Sequence, residues 1–173
     1  HTPFGHAGEA AMQQCYSPDF THYKQSVRVV EILEKLNLCA ETIDGILTHT
    51  WGFVPKTPEA QIVQLADKIA YINHDIEDSI RAGIIAESDL PKECIEYFSS
   101  IQSKRLNKMI TEIINNSQGK KDVTMSEEAW GYTTELRKWM FENVYMDSPA
   151  KLEESKARNV IKELFYLYCD KLR

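Results

Sequence analysis

The first nine residues, HTPFGHAGE, hold two histidines and a carboxylate: His1, His6 and Glu9. With helix beginning near His6, His6 and Glu9 stand i and i+3 and share a face. A histidine and a carboxylate held in one turn can supply an acid, a base or metal ligands. His22 and Gln25 recur at the same spacing in the first turn of a later helix. Free N–H groups and a partial positive charge there suit anions. A third group lies on residues 61–83, QIVQLADKIAYINHDIEDSIRAG. At about 100° per residue this stretch splits into two faces. Ile62, Leu65, Ala66, Ile69, Ile72, Ile76 and Ile80 fall on one side; Asp67, Lys68, Tyr71, His74, Asp75 and Asp78 fall on the other. Taken singly each residue has a bland role: a solvated histidine, a snorkelling lysine, a core tyrosine with a wet hydroxyl. Together they point to one chemistry. A Lys and a Tyr beside an Asp can clamp phosphate oxygens while the Asp holds a divalent metal, the equipment of metal-assisted phosphoester hydrolysis.

The elements that must hold these groups are helical. Thr57, Pro58 and Glu59 make a marked start for the central helix, and Gly83 a stop. A short helix is expected over residues 7–15, and a turn follows at Pro18 and Asp19. Thr21 is expected to cap the next helix, with Val27, Val30, Leu33 and Leu36 facing the core. Residues 41–50 predict a further short helix with Ile43, Ile46 and Leu47 inward, broken by WGFVPKTP. Helices are expected around 91–98 and over 101–115, the latter with Leu106, Met109, Ile110 and Ile113 on one stripe. Residues 116–124 read as a loop. Ser126 caps a helix facing inward with Leu136, Met140, Phe141 and Val144, and Ser148-Pro149 opens a last one running to about Asp170. No β-alternation, internal repeat or low-complexity tract interrupts this pattern. The expected fold is all-α.

A chain of 173 residues suffices for one domain with a real core. The net charge of −6 argues against a protein that coats duplex nucleic acid. Cys15, Cys39, Cys94 and Cys169 are scattered and form no CxxC, so they read as reduced thiols. No signal peptide or membrane-length apolar run is visible, so the expected location is the cytoplasm, with no membrane partner. P-loop, GxGxxG and GxSxG motifs are missing.

Three ordered motifs, HTPFGHAGE, FTHYKQSVRVVEIL and QIVQLADKIAYINHDIEDSIRAGI, resemble the deoxyguanosine-triphosphate triphosphohydrolase-like branch of the HD-domain phosphohydrolases. LRKWMFENVY, residues 136–145, is similar to a late helix of these proteins. The resemblance is strong over the first half and looser after Gly83. It implies an HD-domain-like helical bundle, read as one helical unit with active-site helices over 1–84 and additional helices over 85–173. It implies metal-dependent hydrolysis of deoxynucleoside triphosphates to deoxynucleoside and tripolyphosphate, water attacking the α-phosphorus. His6 and Glu9 match the catalytic His-acid pair; His1 and His22 match further active-site histidines. Asp67 matches the last metal ligand, Lys68 and Tyr71 phosphate contacts, and Asp75 a residue that holds the sugar 3′-hydroxyl. The implied cofactor is a divalent metal such as Mg or Mn. The implied partners are a deoxynucleoside triphosphate and further copies of the chain in a homo-oligomer. Some members bind single-stranded DNA, which the charge balance here does not support.

The resemblance also shows a departure. In the family a first His and a His-Asp pair, which complete the metal site, precede the HTPFGH motif. Here His1 is the first residue. His74-Asp75 is a local His-Asp dipeptide inside the central helix and does not replace that pair. The expectation is therefore a C-terminal part of a longer enzyme, inactive by itself and without a complete metal site. Two alternatives stay open: an HD phosphohydrolase acting on another nucleotide, and a non-catalytic helical module that binds nucleotide or a partner protein.

Overall fold

The computed structural model describes residues 2–146 and 149–172. Among them the chain is all-helical, as its periodicity predicts, and has no strand. The order is α1 (Gly5–Cys15), α2 (His22–Arg28), α3 (Ala40–Thr48), α4 (Pro58–Arg81), α5 (Lys92–Phe98), α6 (Gln102–Ser117), α7 (Glu127–Met140) and α8 (Pro149–Lys171). Two π-helical turns, Val29–Leu33 and Phe141–Tyr145, prolong α2 and α7. No helix among the described residues is long and apolar enough to cross a membrane.

Helix α4 is the axis of the fold, roughly 36 Å long at 1.5 Å per residue. Thr57 Oγ1 accepts from Ala60 N at 3.2 Å, Pro58 occupies the first turn, and Gly83 takes φ +70° just past the end. Leu65, Ile69, Ile72 and Ile76 are buried as expected, the last three in one core with Leu90, Cys94, Phe98, Met109, Ala129, Leu136, Met140 and Val144. That core is closed by α5, α6 and α7, while α3 crosses α4 and α8 packs along α1. Gly45 permits the α3–α4 crossing: a Cβ there would lie 3.3 Å from Ala60 Cβ.

The observed faces differ from the simple stripes at several points. On α4, Ile62 and Ala66 are exposed because the core lies beside the helix's C-terminal half, and Lys68 is buried. Past α2, Leu33 and Leu36 are exposed. Leu33 closes the π-helical turn over Val29–Leu33, which breaks the 3.6-residue period, and Leu36 lies beyond the end of the helix on which its inward placement depended. Thr21 stands at the N-cap of α2 without making the cap bond. On α6, Ile110 is exposed and Arg105 takes the inward place beside Met109. Phe141 is exposed at the π-turn that prolongs α7. Ser126 does cap α7, accepting from Ala129 N at 3.3 Å. Ser148 lies outside the described residues.

All four cysteines are free thiols. Burial pushes the Cys94 thiol up to about 11, with Glu135 and Glu93 adding to it. Cys39 is exposed. A thiol reagent at pH 8 is therefore expected to label Cys39 within minutes and Cys94 only after denaturation, as peptide mass mapping would show. Early labelling of Cys94 would contradict the packing around it.

Candidate active site

The chain's first turn is shaped by backbone. Phe4 and Gly5 both take positive φ, and the α1 helix starts at once. Gly8 is then forced to lack a side chain, since a Cβ would sit 2.0 Å from the Pro3 carbonyl oxygen. This close turn sends Glu9 toward the start of α2. Glu9 Oε2 accepts from the His22 backbone N–H at 3.2 Å and lies 2.7 Å from His22 Nδ1. Glu9 thus does the capping expected of Thr21, whose hydroxyl is buried with no protein partner. The carboxylate can only accept, so Nδ1 carries the proton of that hydrogen bond.

His6 lies further from the carboxylate, its Nδ1 3.8 Å from Glu9 Oε2, and its side chain is 80% exposed. The geometry therefore pairs Glu9 most closely with His22, whereas spacing alone pairs it with His6. The His22 ring lies 5.6 Å from that of His6 and 5.3 Å from that of His49. His49 Nδ1 donates to the Ile46 carbonyl at 2.7 Å. His1 lies outside the described residues.

Opposite this histidine row stands the polar stripe of α4. A cavity of about 830 Å³ opens between them, lined by His6, His22, Asp67, Tyr71, Asp75 and, from the far end of the chain, Arg137 and Tyr145. Arg137 Nε donates to the Tyr71 hydroxyl at 2.9 Å. The Tyr145 hydroxyl donates to the Asp75 carboxylate. Burial pushes the Tyr71 phenol up, against the pull of Arg137, and pushes the Tyr145 phenol far above its ordinary range.

Lys68 is placed differently from its neighbours on the stripe. It is absent from the cavity lining, and its ammonium donates to Gln64 Oε1 at 2.8 Å. The same nitrogen stands 4.3 Å from the Trp51 ring centroid and 5.4 Å from that of Trp130. Burial lowers its pKa, Asp67 opposes that, and Arg137 adds to it. Three residues of this region escape a reading of local spacing: Trp51, Arg137 and Tyr145. Arg137 and Tyr145 are eight residues apart, about two helical turns, a signal visible only once α4 is known to be their partner.

Burial is also the largest influence on Asp75 and pushes its carboxyl up. The Tyr145 hydrogen bond opposes this, Asp78 reinforces it, and His74 works against it. A carboxyl with a raised folded pKa holds its proton longer when folded than when unfolded. Its favourable contribution is present below the ordinary carboxylate value and is lost as pH rises through the shifted one. Asp75→Asn keeps an acceptor for Tyr145 and has no charge to bury. It is expected to raise the melting temperature at pH 7 by about 1–3 °C, the gap closing below about pH 4. A gap that grows on acidification would reverse the assigned sign.

His6, Glu9 and His22 offer ligand atoms within 4.8 Å of one another, the one such His/Cys/Asp/Glu group among the described residues. Asp67 does not belong to it and stands in no group of three or more such ligands among the described residues, which therefore fit a metal at Asp67 only as one wall of its site.

A phosphohydrolase-associated domain matches residues 123–173. Over 98% of its length the chain is 47% identical to a deoxyguanosinetriphosphate triphosphohydrolase-like protein of Caldanaerobacter subterraneus subsp. tengcongensis, covering 51% of it. A protein of the same description from Clostridium perfringens is 40% identical over 97% of the chain, which covers 53% of it. One from Ralstonia pickettii is 30% identical over 98%, with 59% of it covered. The chain thus spans about half the length of the curated relatives it matches.

Proposed function

We propose that the chain belongs with the deoxyguanosine-triphosphate triphosphohydrolase-like branch of the HD-domain phosphohydrolases and that it forms one wall of a site hydrolysing deoxynucleoside triphosphates. The observation that carries this reading is the convergence on one cavity of His6, a His22 held from behind by Glu9, a cation and a Tyr–Asp pair, drawn from α1, α2, α4, α7 and the π-turn after it. Each has a task in breaking the bond between the α-phosphorus and the sugar oxygen. His22, oriented by Glu9, and the exposed His6 handle protons: one leaves the attacking water and one arrives on the departing 5′-oxygen. Arg137 and Tyr71, with Lys68 once it is turned outward, hold the phosphate oxygens. Asp75 and Tyr145 together offer an acceptor and a hydroxyl to the sugar 3′-hydroxyl. The products are a deoxynucleoside and tripolyphosphate.

Asp67 contributes one carboxylate to a divalent cation such as Mg or Mn, which would polarise the phosphate when bound. Because no group of three metal ligands forms around Asp67 among the described residues, the 173-residue chain by itself is proposed to turn over no nucleotide. The proposed working form is a homo-oligomer of the whole protein. The test uses that protein, in the length of its relatives, with dGTP and Mg or Mn, followed by phosphorus NMR. Tripolyphosphate supports the reading. Orthophosphate or pyrophosphate replaces it with an HD phosphohydrolase acting on other bonds or nucleotides. Nucleotide binding without turnover replaces it with a binding module.

A further inference from the structure

One indole touches all three residues proposed to hold the phosphates. Trp51 Nε1 donates to the Tyr71 hydroxyl at 3.1 Å. The Lys68 ammonium stands 4.3 Å from the Trp51 ring centroid and the Arg137 guanidinium carbon 4.6 Å. Arg137 also donates to the Tyr71 hydroxyl, so that oxygen accepts twice. Cations at these distances are attracted to the negative face of the ring. A polyphosphate offers the same groups full negative charge and stronger acceptors. Trp51 and a polyphosphate are therefore rivals for the same partners.

The surrounding loop is held so that the rivalry falls on the indole itself. Gln64 Nε2 faces the carbonyls of Thr48, Thr50 and Phe53 at 2.9, 3.0 and 3.1 Å. These anchors flank Trp51 on both sides and tie the backbone to α4. Between them Gly52 takes φ +89°, a value that side-chain-bearing residues rarely adopt. Movement there is open to the Trp51 side chain and its Gly52 neighbour, while the loop ends stay fixed.

We propose that Trp51 gates the anion subsite: its indole occupies Lys68, Tyr71 and Arg137, and a polyphosphate must displace it to bind. The proposal rests on reading those three residues as phosphate contacts. It assigns Trp51 a part in selectivity, since a ligand with too little charge does not outcompete the indole. It also explains how Lys68, withdrawn between two tryptophans, becomes available to a substrate. A site whose open form is a minor population binds more weakly by that fraction.

The test uses inorganic tripolyphosphate as the probe and the 173-residue chain as the protein. Calorimetry is expected to show Trp51→Ala binding it about tenfold more tightly than the parent chain, and Trp51→Phe falling between the two. Fluorine NMR of the parent chain labelled with 5-fluorotryptophan gives one resonance for each of Trp51, Trp130 and Trp139, assigned with Trp51→Phe. Tripolyphosphate is expected to shift the Trp51 resonance and leave that of Trp139 in place. If circular dichroism shows Trp51→Ala unfolded, the parent's resonance shift and Trp51→Phe decide. Equal affinities with an unmoved Trp51 resonance overturn the gate and leave the phosphate reading standing. Weaker binding by a folded Trp51→Ala also overturns it, making Trp51 a ligand contact. Binding by neither chain sinks the phosphate reading and the gate with it.

Discussion

His6→Ala, made in the protein at the length of its relatives, is expected to lower kcat by about 10²–10⁴-fold, the usual loss for a group that handles a proton. It should do so without a matching loss of stability. The His6 side chain is 80% exposed, and its Nδ1 lies 3.8 Å from Glu9 Oε2. Surface substitutions of this kind stay within about 0.5 kcal/mol, or roughly 1–2 °C for a chain of this size. Glu9 is less informative because it also caps α2 through the His22 N–H, so Glu9→Gln disturbs structure and proton handling together. Exposure thus makes His6 the clean probe. Steady-state kinetics beside a thermal melt separates the two accounts: unchanged kcat in His6→Ala would remove it from the machinery.

Arg105→Met is expected to lower the melting temperature by roughly 6–12 °C, about 3 kcal/mol. Two effects oppose each other. Arg105 is fully buried, and burial lowers its pKa despite the distant help of Glu77 and Glu87, so removing its charge relieves a desolvation penalty. Against that, Nε donates to Asn73 Oδ1 at 2.7 Å and Nη1 to the Ser100 carbonyl at 2.9 Å. Methionine leaves both acceptors buried and unpaired, at about 1–3 kcal/mol each. The unpartnered Nη2 leaves the arginine only partly compensated and favours its removal, but two acceptors left unpaired at that cost outweigh this relief. Adding Asn73→Leu removes one orphan, so the double variant should recover part of the loss. A single variant as stable as the parent would show that desolvation dominates.

The all-helical fold was legible because caps and periodicity agree along most of the chain. Thr57-Pro58 and Gly83 mark α4, and Ser126 marks α7, through local chemistry that requires no partner. Periodicity failed where that chemistry is interrupted. The π-turn at Val29–Leu33 departs from the 3.6-residue period and leaves Leu33 exposed, and Phe141 is exposed where the second π-turn begins. It also failed where a charged residue is buried: Arg105 occupies an inward position on α6 that a hydrophobic count assigns to its neighbours.

The candidate site was legible in its local half. His6, Glu9 and His22 lie close together, and Asp67, Tyr71 and Asp75 line one cavity with His6 and His22. The long-range half was not. Arg137 meets Tyr71 across 66 residues of sequence and Tyr145 meets Asp75 across 70, and no spacing rule joins them. Lys68 shows the limit of a helical wheel. The wheel places its Cα beside Asp67 and Tyr71, but four flexible methylenes carry the ammonium to Gln64 and the tryptophans.

The π-turn at Phe141–Tyr145 has a consequence for how this protein can vary. Such a turn is an α-helix that has accepted one surplus residue. Deleting one residue from 141–144 would restore regular helix with Tyr145 near its present direction, since four steps of about 100° turn almost as far as the five π-helical steps they replace. Its hydroxyl would stay near Asp75 while Arg137, about two turns upstream, kept its place on Tyr71. The π-turn thus absorbs a single-codon change in length beside the sugar-side contact. Among descendants of this chain, loss of one residue within 141–144 should be tolerated better than loss of one within α7, where nothing takes up the change.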